Sequence, residues 1–545
     1  MTDGPPGRPA SGLPIGRRTL LKAGLVGTIG ALGAAACGGS GTRATSSGTS
    51  APATSTTTGP ATTTTTLSAS TTEGLDGSAW QRLGASLSGR LALPTSSGYL
   101  SDVQCYDFRY DGTRPAAVAY CASADDVARC MAFARDHGIT PTPRGGGHSY
   151  GGYSVSSGLV IDVTPMNQLQ PGPTAVIGAG VRLIDMYNGC NAAGVSIPGG
   201  SCPTVGISGL ALGGGLGVVG RLHGLTCDAI SSLQVVTADS RTVTASPAVN
   251  SDLYWACRGG GGGNFGIVTE FAFSTFPTSE VALFTLDWPW AAAGQLLPAW
   301  QHWAPGAPDA LWSNCLLGAS GQGPSPSIRL TGVYVGPEAQ LTSLLAPLIA
   351  AVGTPSGQYM ESTTFAHAMF VEGGCAELSL EACHLPTQSA GGTLPRTPGV
   401  AKSDFLTTPL SDAGVQVVLD ALDARQRQGL SGAVGYDALG GAISRVAADA
   451  TAFVHRNAIC SAQYSVTMEQ GDSPGFIAQA QAWLDGFYAE LRPYVSGQAY
   501  QNYIDPTLAD WAQAYYGTNL ARLSEVKAKW DPDDAFHFAQ SIPLS

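Results

Sequence analysis

Three glycine runs do most to limit what this chain can fold into. The first is Arg144-Gly145-Gly146-Gly147-His148-Ser149-Tyr150. The second opens at Gly199-Gly200-Ser201-Cys202 and continues through Val205, Gly206, Gly209, Gly213, Gly214 and Gly217. The third spans Gly259 to Gly263 and closes with Asn264-Phe265-Gly266-Ile267-Val268. Stretches this rich in glycine do not make ordinary helix or strand, because glycine loses more backbone freedom on ordering than any other residue. They read as loops in which the backbone passes close to a flat ligand or to another backbone. Successive N–H groups in such a loop form a concave anion site suited to a pyrophosphate; a mobile surface turn has the same composition. The strand, spacing and later acid of a Rossmann fingerprint are missing, and no Lys-Ser/Thr ending marks a nucleoside triphosphate loop.

The surroundings of the first run sharpen its meaning. Ser123-Ala124-Asp125-Asp126 is a good helix cap with acids in the first turn. Val127, Cys130, Met131 and Ala134 follow at helical spacing until Gly138. Ile139 to Pro143 reads as a short extended piece. This helix, then P-x-RGGGHSY, then Gly-Leu-Val-Ile-Asp162 resembles the FAD-binding domain of the vanillyl-alcohol oxidase/p-cresol methylhydroxylase superfamily. The resemblance is to its berberine bridge enzyme-like branch, in which the histidine of this motif bonds to the flavin 8α carbon. His148 holds that position. The second run resembles the branch's second attachment loop, and Cys202 matches the cysteine bonded to flavin C6.

The resemblance implies that FAD is the cofactor, that the glycine loops from Arg144 to Ser149 and from Val205 to Gly217 cradle it, and that Gly263, Asn264, Gly266 and Val268 contact it closely. Val205 stands where the family gates oxygen access to the flavin, and its small side chain suits an oxidase. Leu210 departs from the histidine that many members carry there. Ala499-Tyr500-Gln501-Asn502-Tyr503 resembles the family's Tyr-x-Asn-Tyr motif. Asn502 is expected to hold the flavin or the local turn. Gln463 matches a position that is a catalytic glutamate in berberine bridge enzyme, but glutamine takes no proton at neutral pH. The base is therefore expected to be a tyrosine: Tyr500 is favoured over Tyr503, with Tyr150 assisting. Free tyrosine titrates near ~10, so it needs a nearby cation or hydrogen bonds to act as a base.

Fold class follows as α+β: a two-lobed FAD-binding domain of the p-cresol methylhydroxylase type plus an antiparallel-sheet substrate domain covered by helices. The length of 545 residues allows about two to four lobes at the rough prior of ~150 residues each. The expected divisions are 76–280 for FAD binding, 281–495 for substrate, and 496–545 for a return to the first domain. Ser327 to Val335 and Asp412 to Arg427 read as strand and helix of the substrate domain, and Phe453–Asn457 and Ala462–Val466 both alternate as strands. Trp288, Trp290, Trp300, Trp303 and Trp312 fall close together and serve either core packing or ligand stacking.

Residues 1–36 read as an export signal. Arg17-Arg18 precedes a short apolar run, which resembles a twin-arginine signal. Ala34-Ala35-Ala36-Cys37 resembles a lipoprotein cleavage box, with ordinary signal cleavage as the alternative. A lipid on Cys37 would be the one membrane contact. Residues 37–75, nearly all Ser, Thr, Ala, Gly and Pro, bury too little apolar surface to order and read as a tether.

A net charge of −12 without basic runs excludes a nucleic-acid partner and leaves a small-molecule substrate and dioxygen. Of the 12 cysteines, Cys375 with Cys383 and Cys121 with Cys130 are local disulfide candidates. No Cys/His spacing suggests a metal. The resulting expectation is an exported FAD-linked oxidase acting on an alcohol, sugar or related molecule. A dehydrogenase with a membrane or protein acceptor and a non-catalytic binding lipoprotein are the alternatives.

Overall fold

A computed structural model describes residues 77–544; the segments expected to form an export signal and tether, with Cys37, lie outside the described residues. The first lobe holds a four-stranded sheet in the order β1 (Arg90–Ala92), β2 (Ala117–Tyr120), β4 (Leu159–Asp162), β3 (Pro141–Arg144). β2 and β3 both run parallel to β4, and β1 is antiparallel to β2. Every residue of β4 is buried, as a central parallel strand requires. The helix Ala124–Asp136 crosses from β2 to β3. Ser123 caps it by accepting a hydrogen bond from Asp126 N at 3.2 Å.

A second, five-stranded antiparallel sheet has the order β5 (Leu169–Gln170), β6 (Thr174–Gly178), β10 (Ile267–Ser274), β8 (Ile230–Val236), β9 (Thr242–Ala245). A small two-stranded piece pairs β7 (Val195–Ser196) with β11 (Phe276–Pro277). The third sheet is antiparallel and seven-stranded. Its order is β15 (Gly357–Thr364), β12 (Glu280–Trp288), β14 (Ser327–Tyr334), β13 (Leu311–Ser320), β17 (Ser431–Ala438), β18 (Cys460–Thr467), β16 (Gly399–Leu406).

One face of this large sheet is covered by the helices Ala293–Trp303, Glu338–Val352, Asp412–Arg427 and Pro474–Leu491. Side chains alternate across the sheet with a period of two residues. In β18, Tyr464 meets Phe487 of the helical layer, with ring centroids 5.4 Å apart. Gln463 and Ser465 face the other way, toward the FAD-binding lobes.

Two local expectations are corrected. Phe453–Asn457 is not a strand but a buried loop. Arg456 pairs with Asp228 at 2.7 Å, and both ring nitrogens of His455 are bonded, to Gln498 Oε1 and Tyr515 O. These long-range partners hold the segment in place of ladder pairing. Cys375 and Cys383 form a disulfide, but Cys121 and Cys130 are free thiols with sulfurs 3.8 Å apart. That separation is far beyond the ~2.05 Å of an S–S bond. Most of the tryptophan cluster is core: Trp300 donates to Ser313 Oγ at 2.9 Å and Trp288 to Gly353 O at 2.9 Å. Trp312 instead lines a cavity.

Candidate active site

The first glycine loop leaves the end of β3, and Arg144 anchors its start. The Arg144 guanidinium is buried, with Nε 2.5 Å from Asp162 Oδ2 and Nη2 donating to Asp102 O at 2.8 Å. Beyond it, the first and second loops lie backbone against backbone. A Cβ added to Gly146 would sit 2.3 Å from Gly206 N, and one added to Gly206 would sit 2.5 Å from Gly146 N. A Cβ on Gly145 would meet Ser208 Oγ at 2.4 Å. The three glycine runs thus converge because their missing side chains permit it.

The C-terminal segment locks them together. Asn502 Nδ2 donates to Leu210 O at 3.0 Å, Tyr516 Oη to Gly260 O at 3.2 Å, and Ile542 N to Asn264 Oδ1 at 2.9 Å.

Between these loops lies a cavity of about 800 Å3. Arg144 to Tyr150 line it, as do Cys202, Val205, Gly206, Gly209, Gly263, Asn264, Gly266, Val268, Tyr500, Asn502 and Tyr503. Gly217 and Gln463 line a smaller, neighbouring cavity of about 80 Å3. Gly213 and Gly214 line neither cavity and support the wall from behind. A Cβ on Gly213 would strike Asn502 Oδ1 at 2.0 Å, and one on Gly214 would strike Phe453 Cδ2 at 2.7 Å.

The comparisons with known proteins agree with this geometry. Residues 115–246 match the FAD binding domain family, and residues 499–543 match the berberine and berberine-like family. YgaK of Bacillus subtilis, named as an FAD-linked oxidoreductase, is 35% identical over 437 residues, covering 79% of this chain and 91% of its own. The chain belongs to the berberine bridge enzyme-like family of FAD-linked oxidoreductases. Chitooligosaccharide oxidase from Gibberella zeae is 30% identical over 483 residues, covering 82% of this chain and 91% of its own. The solved structure of Physcomitrella patens BBE-like 1 superposes with a TM-score of 0.77 at 32% identity, over 85% of this chain and 99% of that one.

The residues present fit the FAD of this family. The cavity lies within the ~300–1,000 Å3 range of ligand and cofactor sites, and its walls are glycine loops that any Cβ would fill. Arg144 Nη1 and Arg182 Nη1 are buried donors without a protein partner among the described residues, as an anionic ligand nearby requires. His148 is half-buried beside this charge. Burial first, and Arg182 second, push its imidazole down to about 3, so it is neutral and holds a lone pair.

The smaller cavity holds the residues that sequence reasoning missed. Thr331, Asn314, Asp437 and Ser461 sit directly opposite one another on β14, β13, β17 and β18. Asn314 Nδ2 donates to Asp437 Oδ1 at 2.6 Å, and Ser461 Oγ lies 3.5 Å from Oδ2. Glu372 lines the same cavity, and no Lys, Arg or His does. Burial, with Asp437 second, pushes Glu372 up to about 7; burial also raises Asp437. Strand periodicity was the signal for Asp437, since it shares a face with Gly435 in β17. Its chemistry depended on cross-strand neighbours that lie far away in sequence.

Tyr503 lines both cavities and is the junction between them. Its ring stacks on Tyr150 with centroids 5.7 Å apart, and Gln463 Nε2 donates to Tyr150 Oη at 3.2 Å. The Tyr500 hydroxyl is turned into the glycine wall, accepting from Gly215 N at 2.9 Å, Leu216 N at 3.3 Å and Asn502 Nδ2 at 2.9 Å. Burial raises all three tyrosines, Tyr150 to about 12 and Tyr503 further, with Asp437 adding to the effect on Tyr503. None is poised to ionise near neutrality, whereas Glu372 is.

Glu372 also gives a pH-dependent stability. Its folded value is raised above its ordinary 4.5, so stability is full below that pH and is lost as pH rises through about 7. Glu372→Gln is expected to raise the denaturant midpoint at about pH 8 and to leave it unchanged at about pH 4. An equal shift at both would show that Glu372 is not buried as an acid.

Proposed function

We propose that this enzyme is an oxidase acting on the CH–OH group of an alcohol, sugar or related small molecule, with FAD bonded to both His148 and Cys202 and with dioxygen as acceptor. The observation that carries the reading is the closeness of two cavities that share Tyr503 in their walls, one of FAD size and the other lined by Glu372 and Asp437. FAD held by the glycine loops, His148 and Cys202 would supply the two-electron redox chemistry.

The chain's residues do the rest. Asp437 accepts the hydroxyl proton, its proton affinity raised by burial. Tyr503 positions the hydroxyl at the junction as a neutral donor and acceptor. Trp312 offers an aromatic face to the substrate body. The related oxidase named for chitooligosaccharides supports a carbohydrate as one class to try.

A bond from Cys202 to flavin requires a reduced thiol when the cofactor loads. Loading in the cytoplasm before twin-arginine export meets that requirement, and export by this route is part of the proposal.

Two measurements test the reading. Acid precipitation of the purified protein is expected to carry the yellow colour down with the polypeptide, and His148→Ala or Cys202→Ala alone is expected to keep bound flavin through the remaining bond. Colour left in the supernatant of the unmodified protein would end the covalent assignment. An oxygen electrode with a panel of alcohols and oligosaccharides is expected to show uptake with matching peroxide. Substrate-dependent dye reduction without oxygen uptake would identify a dehydrogenase instead.

A further inference from the structure

The ring of His148 is held more tightly than flavin attachment alone demands. Its Nε2 lies 3.0 Å from Thr204 Oγ1, and the backbone of the same threonine is also within hydrogen-bond reach of the ring. Tyr106 stacks on its face, with centroids 4.0 Å apart and planes 20° from parallel. The Tyr106 hydroxyl is fixed in turn by Thr397 Oγ1 at 3.2 Å. Thr204 is itself immobile. Its side chain is buried, its carbonyl accepts from Gln388 Nε2 at 3.1 Å, and the next residue's carbonyl accepts from Leu183 N at 3.0 Å. Thr204 also stands two residues from Cys202, in the same turn.

Resting on the covalent-flavin reading above, we infer that Thr204 is a positioning residue for attachment at His148: its hydroxyl accepts the Nε2 hydrogen and so leaves the imidazole lone pair on Nδ1. The two ring nitrogens of a neutral histidine cannot both be nucleophilic, and the hydrogen bond at one decides the role of the other. With Nε2–H directed at Thr204, Nδ1 is the atom free to bond. Tyr106 keeps the ring plane from turning.

One bond forms, between Nδ1 and the 8α carbon. One C–H bond of the 8α methyl and the Nε2–H bond break, and the proton on Nε2 leaves past Thr204. Both hydrogens and the two electrons gained by the flavin pass to dioxygen, giving hydrogen peroxide. One turn therefore serves both attachments, Cys202 by bonding and Thr204 by aiming the histidine.

The test compares Thr204→Val and Thr204→Ser in the full chain. After acid precipitation and proteolysis, mass spectrometry measures flavin on the His148 peptide and on the Cys202 peptide separately. Thr204→Val, nearly the same shape without the hydroxyl, is expected to cut histidyl-linked flavin about tenfold, the scale of one lost hydrogen bond, while the Cys202-linked fraction remains. Thr204→Ser is expected to restore the histidyl bond, which separates loss of the hydroxyl from a packing defect. Full histidyl occupancy in Thr204→Val, or a Thr204→Ser as defective as the valine variant, would overturn the inference while leaving the covalent reading intact. Absence of flavin on His148 in the unmodified protein would instead remove the covalent reading itself.

Discussion

Asp437→Asn lowers kcat by about 10^2 to 10^4, the range for loss of a positioned general base, with flavin content unchanged. The substitution keeps the shape and one acceptor oxygen, so the pairings with Asn314 and Ser461 survive in part. It removes the only role a carboxamide cannot fill, which is taking a proton near neutrality. The unmodified enzyme adds a second signature. Because the base must be ionised, kcat/KM is expected to rise with pH through the proton affinity of Asp437, which burial raises above the ordinary carboxylate range. That limb is expected to vanish in Asp437→Asn. Stopped-flow reduction of the flavin reads both effects directly. If Asp437→Asn reduces its flavin at the unmodified rate, the base lies elsewhere and Tyr503 becomes the next residue to replace.

Gly146→Ala should yield a colourless and much less stable protein. The added methyl would lie 2.3 Å from Gly206 N and 3.0 Å from Gly206 Cα. Both obstacles are backbone, so no change of rotamer relieves them, and the two loops must separate. Overpacking of this kind costs about 3 kcal/mol or more. Separation also moves His148 away from Thr204, so the loss of cofactor and the loss of stability arise from one displacement. Gly486→Ala is the control. It lies within the helix Pro474–Leu491 with nothing near its added methyl, and should gain up to ~1 kcal/mol from helix propensity. Absorbance at the flavin band and a denaturant titration read the outcome. A yellow Gly146→Ala with an unmoved midpoint would mean that the loops are not packed as described.

Much of the FAD-binding lobe was legible in the chain. The cap at Ser123, the glycine stop at Gly138 and the loop from Arg144 to Tyr150 are local features, governed by hydrogen bonds and backbone freedom within a few residues. The helix Asp412–Arg427 was readable from periodicity for the same reason. The loop at Phe453–Asn457 was not. Its alternation of polar and apolar residues imitates a strand, but Arg456 and His455 are held by Asp228, Gln498 and Tyr515. Cys121 and Cys130 misled in a similar way. Nearness in sequence suggested a bridge, while the side-chain directions set by strand and helix leave the sulfurs apart.

By itself the sequence picked out the glycine loops with His148 and Cys202, which the fold gathers around one cavity. Only the tertiary structure placed a pair of carboxyl groups in the neighbouring cavity. Tyr500 and Tyr503 look alike in sequence, yet one hydroxyl faces three donors in the glycine wall and the other stands at the mouth of the second cavity. Asp437 carries no motif at all. Its proton affinity is raised by burial, and its orientation comes from the register that sets Asn314 and Ser461 opposite it. Proton affinity depends on the dielectric and charges around a group, and strand pairing over more than a hundred residues brings those surroundings together.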